Sequence, residues 1–338
     1  MAVGLPLVMA VLDAGLLGRG PRWKEKLPYL LPAAAASVLA CWGQASAGAM
    51  AAADRFGWPQ RLAQAAYAHA FYLVKTLWPT RLAPMYEYAL RLDPLESRFL
   101  ACAALAGVLA ITAWSLRRKC PALWTAWLSY LILLAPVLGA VKFGAQLVAD
   151  RYSYLPCMAW SVLAGALLLK FLNLPNARRL MAAAGGAVLI ALSLASRRQL
   201  GFWQDSEILY RRILAVDPAQ STARNNLGLV LDAQGRAQEA LAQYALALQS
   251  RPRYAAAHNN AGALLLKLGH ANEAQAHFEA ALASDRRNID ALNNLGLVLA
   301  GRGRYGEALR LFDEALRLNP GYANAARNRE LILRLKKS

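Results

Sequence analysis

The chain has 338 residues, 57% of them apolar, a mean hydropathy of +0.27 and a formal net charge of +18. The apolar residues gather in blocks over 1–196, whereas 197–338 has the composition of a water-soluble helical protein, so two domains fit the length. The charge layout excludes nucleic acid as a partner: 18 Lys/Arg against 7 Asp/Glu precede residue 197, largely in short runs beside apolar blocks. A further 20 against 13 are scattered over the remainder, with no basic stripe interleaved with aromatics.

A spanning helix needs about 20 mainly apolar residues. In chain order, the opening block 2–17 is short and carries Pro6 and Asp13, and it lacks the positive start and cleavage site of a signal peptide. It reads as a helix whose upstream context is missing. A second block near 28–45 contains Pro28 and Pro32. Residues 64–79, with His69, Lys75 and several aromatics, suit an interfacial or re-entrant helix. Blocks 98–116, 121–141, 155–173 and 180–196 read as crossings. Basic residues at 19–26, 117–119 and 178–179 then lie on the cytoplasmic side. Six crossings result, with 46–97, 142–154 and everything after 197 on the outer side. Cys41, Cys102, Cys120 and Cys157 lie in or beside these blocks without metal-ligand spacing, and the four histidines form no HExxH motif, so neither a metal nor a resident cofactor is expected.

The second half is periodic. NNLGLVL occurs at 225–231 and again at 293–299, with NNAGALL between them at 259–265. Three units, 221–254, 255–288 and 289–322, have the 34-residue period of tetratricopeptide repeats, helix pairs stacked into a solenoid. Gly228, Gly262 and Gly296 take the eighth position, Ala240, Ala274 and Ala308 the twentieth, and Tyr244, Phe278 and Phe312 the twenty-fourth. Gly235, Gly269 and Gly303 mark the turn within each pair. A linking half-repeat over 197–220, with Asp205 or Ser206 as helix cap, precedes the array, and a capping helix over 323–338 closes it. The fold class is therefore all-α: a polytopic helical membrane domain over 1–196 followed by a repeat solenoid.

KTLWPTRLAPMYEY (75–88), VADRYSYLP (148–156) and FWQDSEILYRRILAVDP (202–218), leading into the array, resemble the transmembrane-and-tetratricopeptide-repeat family and its bacterial relatives, as do GLPLVMAVLDAGLLGR and EKLPYLLPAAAASVLA. The resemblance covers nearly the whole chain and implies a relative of the C-type glycosyltransferases, polytopic enzymes that use lipid-linked sugars and are linked to O-mannosylation of proteins on the non-cytoplasmic face. It also implies a bacterial inner-membrane location, with the repeats on the non-cytoplasmic side. That family's acidic catalytic motif lies in the first outer loop, whereas this chain opens in what resembles the middle of the membrane domain. No paired carboxylates stand in its outer loops. The expectation is a truncated or split transferase of this kind, incomplete as given. The competing expectation is a non-catalytic membrane-anchored scaffold for envelope protein assembly.

Three groups of residues are candidates. Lys142, Asp150, Arg151, Tyr152 and Tyr154 stand at headgroup depth, where Arg151 offers a planar fork to the phosphate of a polyprenyl-phosphate sugar donor and Asp150 would hold it in place. An interfacial aromatic belt accounts for the same residues. Glu87, flanked by Tyr86 and Tyr88, is a weak candidate for the base that takes the acceptor hydroxyl's proton. Asn226, Asn260, Asn294 and Asn328 take the sixth position of successive first helices, which line the groove. Mid-helix asparagine costs roughly 0.5–0.7 kcal/mol relative to alanine, but its amide matches the N–H and C=O of an extended polypeptide. The row is similar to the asparagine ladder of the nuclear and cytoplasmic O-GlcNAc transferase. Asn225, Asn259 and Asn293 beside it read as passengers of duplication.

Overall fold

The computed structural model describes residues 4–18, 20–46, 57–80, 82–83, 86–87, 93–138, 146–172 and 178–336. It divides into two compact units, Met1–Gln199 and Leu200–Ser338.

The first unit contains α1 (Leu5–Gly15), α2 (Trp23–Ser46), α3 (Trp58–Leu77), α4 (Ser97–Leu116), α5 (Pro121–Leu134), α6 (Tyr154–Leu172) and α7 (Arg178–Gly201). A short antiparallel ladder joins β1 (Tyr86–Glu87) to β2 (Gln146–Val148), with Tyr86 opposite Val148 and Glu87 opposite Gln146. Six crossings were expected; among the described helices α4, α6 and α7 are long and apolar enough to cross a membrane. At about 1.5 Å per residue, the 11 residues of α1 reach roughly half of a hydrocarbon core about 30 Å thick. Pro136 sits in the 3-10 turn Ala135–Val137 that ends α5, and the expected remainder at 139–141 lies outside the described residues. α2 has the length but carries Pro28 and Pro32.

The helix expected as interfacial or re-entrant at 64–79 spans Trp58–Leu77, and one of its faces is packed. Ala63, Ala68 and Tyr72 of α3 form a core with Phe99, Tyr130, Leu134 and Val148. Small residues on one face of α3 let the rings of its neighbours close in. The Tyr130 hydroxyl donates to the His69 carbonyl (2.8 Å), and the Ala149 N–H donates to the Tyr72 hydroxyl (3.1 Å), so the buried tyrosines have polar partners.

The second unit contains α8 (Ser206–Val216), the pairs α9/α10 (Ser221–Ala233, Ala237–Ser250), α11/α12 (Ala255–Lys267, Ala271–Ser284) and α13/α14 (Ile289–Gly301, Tyr305–Leu318), and α15 (Ala323–Leu335). Asp205 caps α8, its carboxylate accepting from the Glu207 and Ile208 N–H groups at 2.8 and 3.0 Å. Gly235, Gly269 and Gly303 have φ of +79°, +88° and +74°, a left-handed conformation that ends each first helix and that side chains with a Cβ resist. Tyr244, Phe278 and Phe312 are buried between the helices of their pairs, against the eighth-position glycines.

α9, α11, α13 and α15 lie side by side, while the second helices of successive pairs make no comparable contact. The first helices therefore form the inner, concave layer. A Cβ at Gly296 would stand 2.6 Å from Phe312 Cε1, far inside contact distance. Gly296→Val is accordingly expected to destabilise the 200–338 unit by about 1–3 kcal/mol through overpacking, as read by urea denaturation.

Candidate functional site

Two groups of candidate residues occupy well-described surroundings. In the first unit, the ladder between β1 and β2 brings the loop after α3 against the turn before α6. Asp150, in the 3-10 turn Asp150–Ser153, accepts from the Ala83 N–H at 2.6 Å and from the Tyr86 hydroxyl at 3.4 Å. Lys75, at the end of α3, donates to the Thr80 carbonyl (2.5 Å), and its ammonium lies over the rings of Phe71 and Tyr86 at 5.5 and 5.9 Å. Of the residues proposed from sequence at 86–88 and at 150–154, Tyr86 and Asp150 meet directly. Tyr152 is half-buried against the unit's core, while Tyr154 is 73% exposed. Lys142 and Tyr88 lie outside the described residues, as do the side chains of Arg151 and Glu87. Lys75 was missed as a candidate. The signal available was its position one turn before Pro79 in the stretch that also supplies Tyr86.

Burial pushes the Asp150 carboxyl up to about 6, against the opposing pull of the Ala83 N–H, the Lys75 charge and the Tyr86 hydroxyl. Burial, reinforced by the Asp150 charge, also raises Tyr86 well above the usual phenol range. At neutral pH the site holds a carboxylate beside an ammonium and a protonated phenol.

In the second unit, Asn226, Asn260, Asn294 and Asn328 stand half-buried in one row on the concave layer. Their neighbours Asn225, Asn259 and Asn293 are buried and are not passengers. The side-chain N–H of Asn260 donates to the Asn225 carbonyl oxygen at 2.9 Å, Asn294 to Asn259 at 3.0 Å, and Asn328 to Asn293 at 2.8 Å. Within repeats one and three, Asn225 donates to Asn226 and Asn293 to Asn294, both at 3.2 Å. The asparagine pair is therefore an inter-repeat clasp. A sixth-position amide has two N–H donors and one carbonyl oxygen with two lone pairs. Asn260, Asn294 and Asn328 each give one N–H to the preceding repeat, and the Asn226 and Asn294 oxygens each take one bond from the fifth-position neighbour, which leaves part of each amide's capacity for the groove.

One helical turn further along the same face, at the ninth position, Leu229, Ala263, Leu297 and Leu331 are exposed. The concave layer thus presents a row of amides with a parallel row of apolar side chains. An extended polypeptide offers matching chemistry: backbone N–H and C=O to the first row, alternate side chains to the second.

The Tetratricopeptide repeat family matches residues 196–258 and 259–323. The chain is 34% identical over 115 residues to Protein O-mannosyl-transferase Tmtc2 of Drosophila melanogaster, a match covering 33% of this chain and 12% of that protein. It is 31% identical over 131 residues to Protein O-mannosyl-transferase TMTC2 of Homo sapiens, covering 37% and 15%. The chain thus spans about an eighth of the length of the curated relatives it matches. Among solved structures, MamA is 20% identical with a TM-score of 0.37, covering 42% of this chain and 83% of that one. Residues 196–323 are thus similar to tetratricopeptide repeats, and about a third of the chain is partially homologous to protein O-mannosyl-transferases.

Two measurements check these assignments. Asn259→Ala removes the acceptor of Asn294 and is expected to destabilise the repeat unit by about 1–3 kcal/mol, whereas Ala263→Ser, on the open row of the same helix, leaves its denaturation midpoint unchanged. For Asp150, the folded value near 6 lies above its ordinary 3.8. Its contribution to stability is therefore complete below the ordinary value and lost as pH rises through about 6. The thermal midpoint of the detergent-solubilised chain should show that fall, and Asp150→Asn should flatten it.

Proposed function

We propose that this protein is a membrane-anchored repeat protein whose solenoid holds extended polypeptide on the non-cytoplasmic face, within a system that transfers sugar from a lipid carrier to Ser or Thr side chains. The observation that carries the reading is the paired amide and apolar rows on the concave layer. Amides grip a backbone whatever its sequence, and the apolar row adds a preference for aliphatic or small side chains. Such a groove suits a machine that presents many different clients rather than one.

The link to glycosylation is supported by the partial homology to protein O-mannosyl-transferases. The membrane reading is supported by three helices long and apolar enough to cross, and by basic runs grouped beside apolar blocks. In this reading Lys75, with the sequence candidates Arg151 and Lys142, supplies the charge for the phosphate of a polyprenyl-phosphate sugar, and Asp150 and Tyr86 shape the described part of the site. Asp150 joins Glu87 as a candidate for proton transfer, because its carboxyl is held by the Ala83 N–H and burial pushes it up to about 6.

The test is peptide binding to the 200–338 unit, which has its own core and flanking helices. Wild-type protein should bind extended, sequence-varied peptides weakly, each amide contributing about 0.5–1.5 kcal/mol. Replacing Asn226, Asn260, Asn294 and Asn328 with alanine should abolish binding, and Leu297→Glu should weaken it with the clasp intact. Equal binding by wild type and both variants would sink the proposal.

A further inference from the structure

A groove of about 550 Å³ opens on the first unit, at the end where two basic loops meet, and nothing described so far uses it. α1 and α5 form its walls through Leu7, Val11, Leu128 and Ile132, and Trp23 and Trp124 stand along it. Thr125 lies at its floor, 2% exposed, against Gly15, with no hydrogen-bond partner for its hydroxyl among the described residues. Arg117 is the one cation in its lining, with its guanidinium over the Trp114 ring at 3.8 Å and one N–H donating to the Trp114 carbonyl.

The surrounding charge is one-sided. Arg22, Lys24, Lys26, Arg117, Arg118 and Lys119 stand against Asp13 and Glu25. Lys26 is paired with buried Asp13, and Arg22 with Glu25 at 3.0 Å. Those two pairs offset Arg22 and Lys26 and leave Lys24 on the α1–α2 side, while Arg117, Arg118 and Lys119 make the 117–119 turn the larger seat of the excess. An apolar trough, tryptophans beside it and an arginine fork with further cations at its rim match one kind of occupant.

We propose that this groove binds an anionic phospholipid, one acyl chain lying between α1 and α5 and the phosphate on Arg117. The site rests on the membrane reading above and is separate from the Asp150 site. Its acyl part explains why the trough is apolar to its floor, and its headgroup part explains why the cations gather at one end. The guanidinium suits this ligand because its N–H groups donate to phosphate oxygens in its plane while its face stays on Trp114.

The full chain is reconstituted in phosphatidylcholine vesicles containing either brominated phosphatidylglycerol or an equal fraction of brominated phosphatidylcholine, and tryptophan quenching is recorded. Stronger quenching by the anionic lipid is expected, with loss of that preference in Arg117→Gln and in Ala14→Phe, which fills the trough. Trp124→Phe should remove the preferentially quenched component, and free inorganic phosphate should not compete. Equal quenching by the two lipids, as a groove covered by a second copy or another polypeptide would give, overturns the proposal, as does a preference that survives in both variants. Failure of the chain to enter vesicles overturns both this site and the membrane reading, whereas entry without preference overturns the site alone.

Discussion

The close approach of an aromatic ring to a glycine in each helix pair is the contact on which the solenoid depends. A helix pair cannot bury its apolar face alone, so its geometry must be fixed tightly enough for the next pair to stack on it. Tyr244, Phe278 and Phe312 fill the space that Gly228, Gly262 and Gly296 leave empty, and both partners recur every 34 residues. The same helix separation recurs with them. Equal separations bring α9, α11, α13 and α15 side by side on the inner layer, and only then can amides 35 residues apart come within hydrogen-bond distance.

That register makes the paired asparagines answerable to two demands at once. The fifth-position amide is buried, where an unpaired polar group is costly, and it is satisfied from the next repeat. The sixth-position amide supplies that bond and faces the groove with what remains. Under the proposed reading, structural and binding roles share a side chain, and this limits the grip available to a polypeptide. Amides already engaged in the clasp would favour weak, readily reversed association with the proposed polypeptide. The exposed leucines at the ninth position are under no such constraint, since they take no part in the clasp.

Much of the solenoid was legible in the sequence because repetition amplifies each signal: the period, the turn glycines, the aromatic at position twenty-four and the Asp205 cap all stand where the pattern puts them. The role of Asn225, Asn259 and Asn293 was not legible, because their partners lie in the following repeat and depend on superhelix geometry rather than on any local rule. The first unit was harder to read for a related reason. Hydropathy reports that a segment is apolar but not what covers it. Alanine-rich α3, with its His69 and Lys75, looked like a strip for an interface, yet its small side chains are what allow Tyr130, Phe99 and Val148 to close over it. The union of Tyr86 with Asp150, 64 residues apart, needed the two short strands to be seen paired.

The Asp150 arrangement also shows why a single carboxylate can be held in so apolar a unit. An ionised carboxylate there would be driven out unless donors faced it, and burial alone does raise its pKa. The Ala83 N–H, the Lys75 charge and the Tyr86 hydroxyl pull the other way, and the balance leaves the carboxyl raised to about 6. A fully compensated carboxylate would be a fixed strut, and an uncompensated one would stay protonated. One between these limits braces the loop through the Ala83 N–H and the Tyr86 hydroxyl. The residues that set this balance, Lys75 and Ala83, come from the end of α3 and the loop after it, so the packing that buries α3 also tunes the acid.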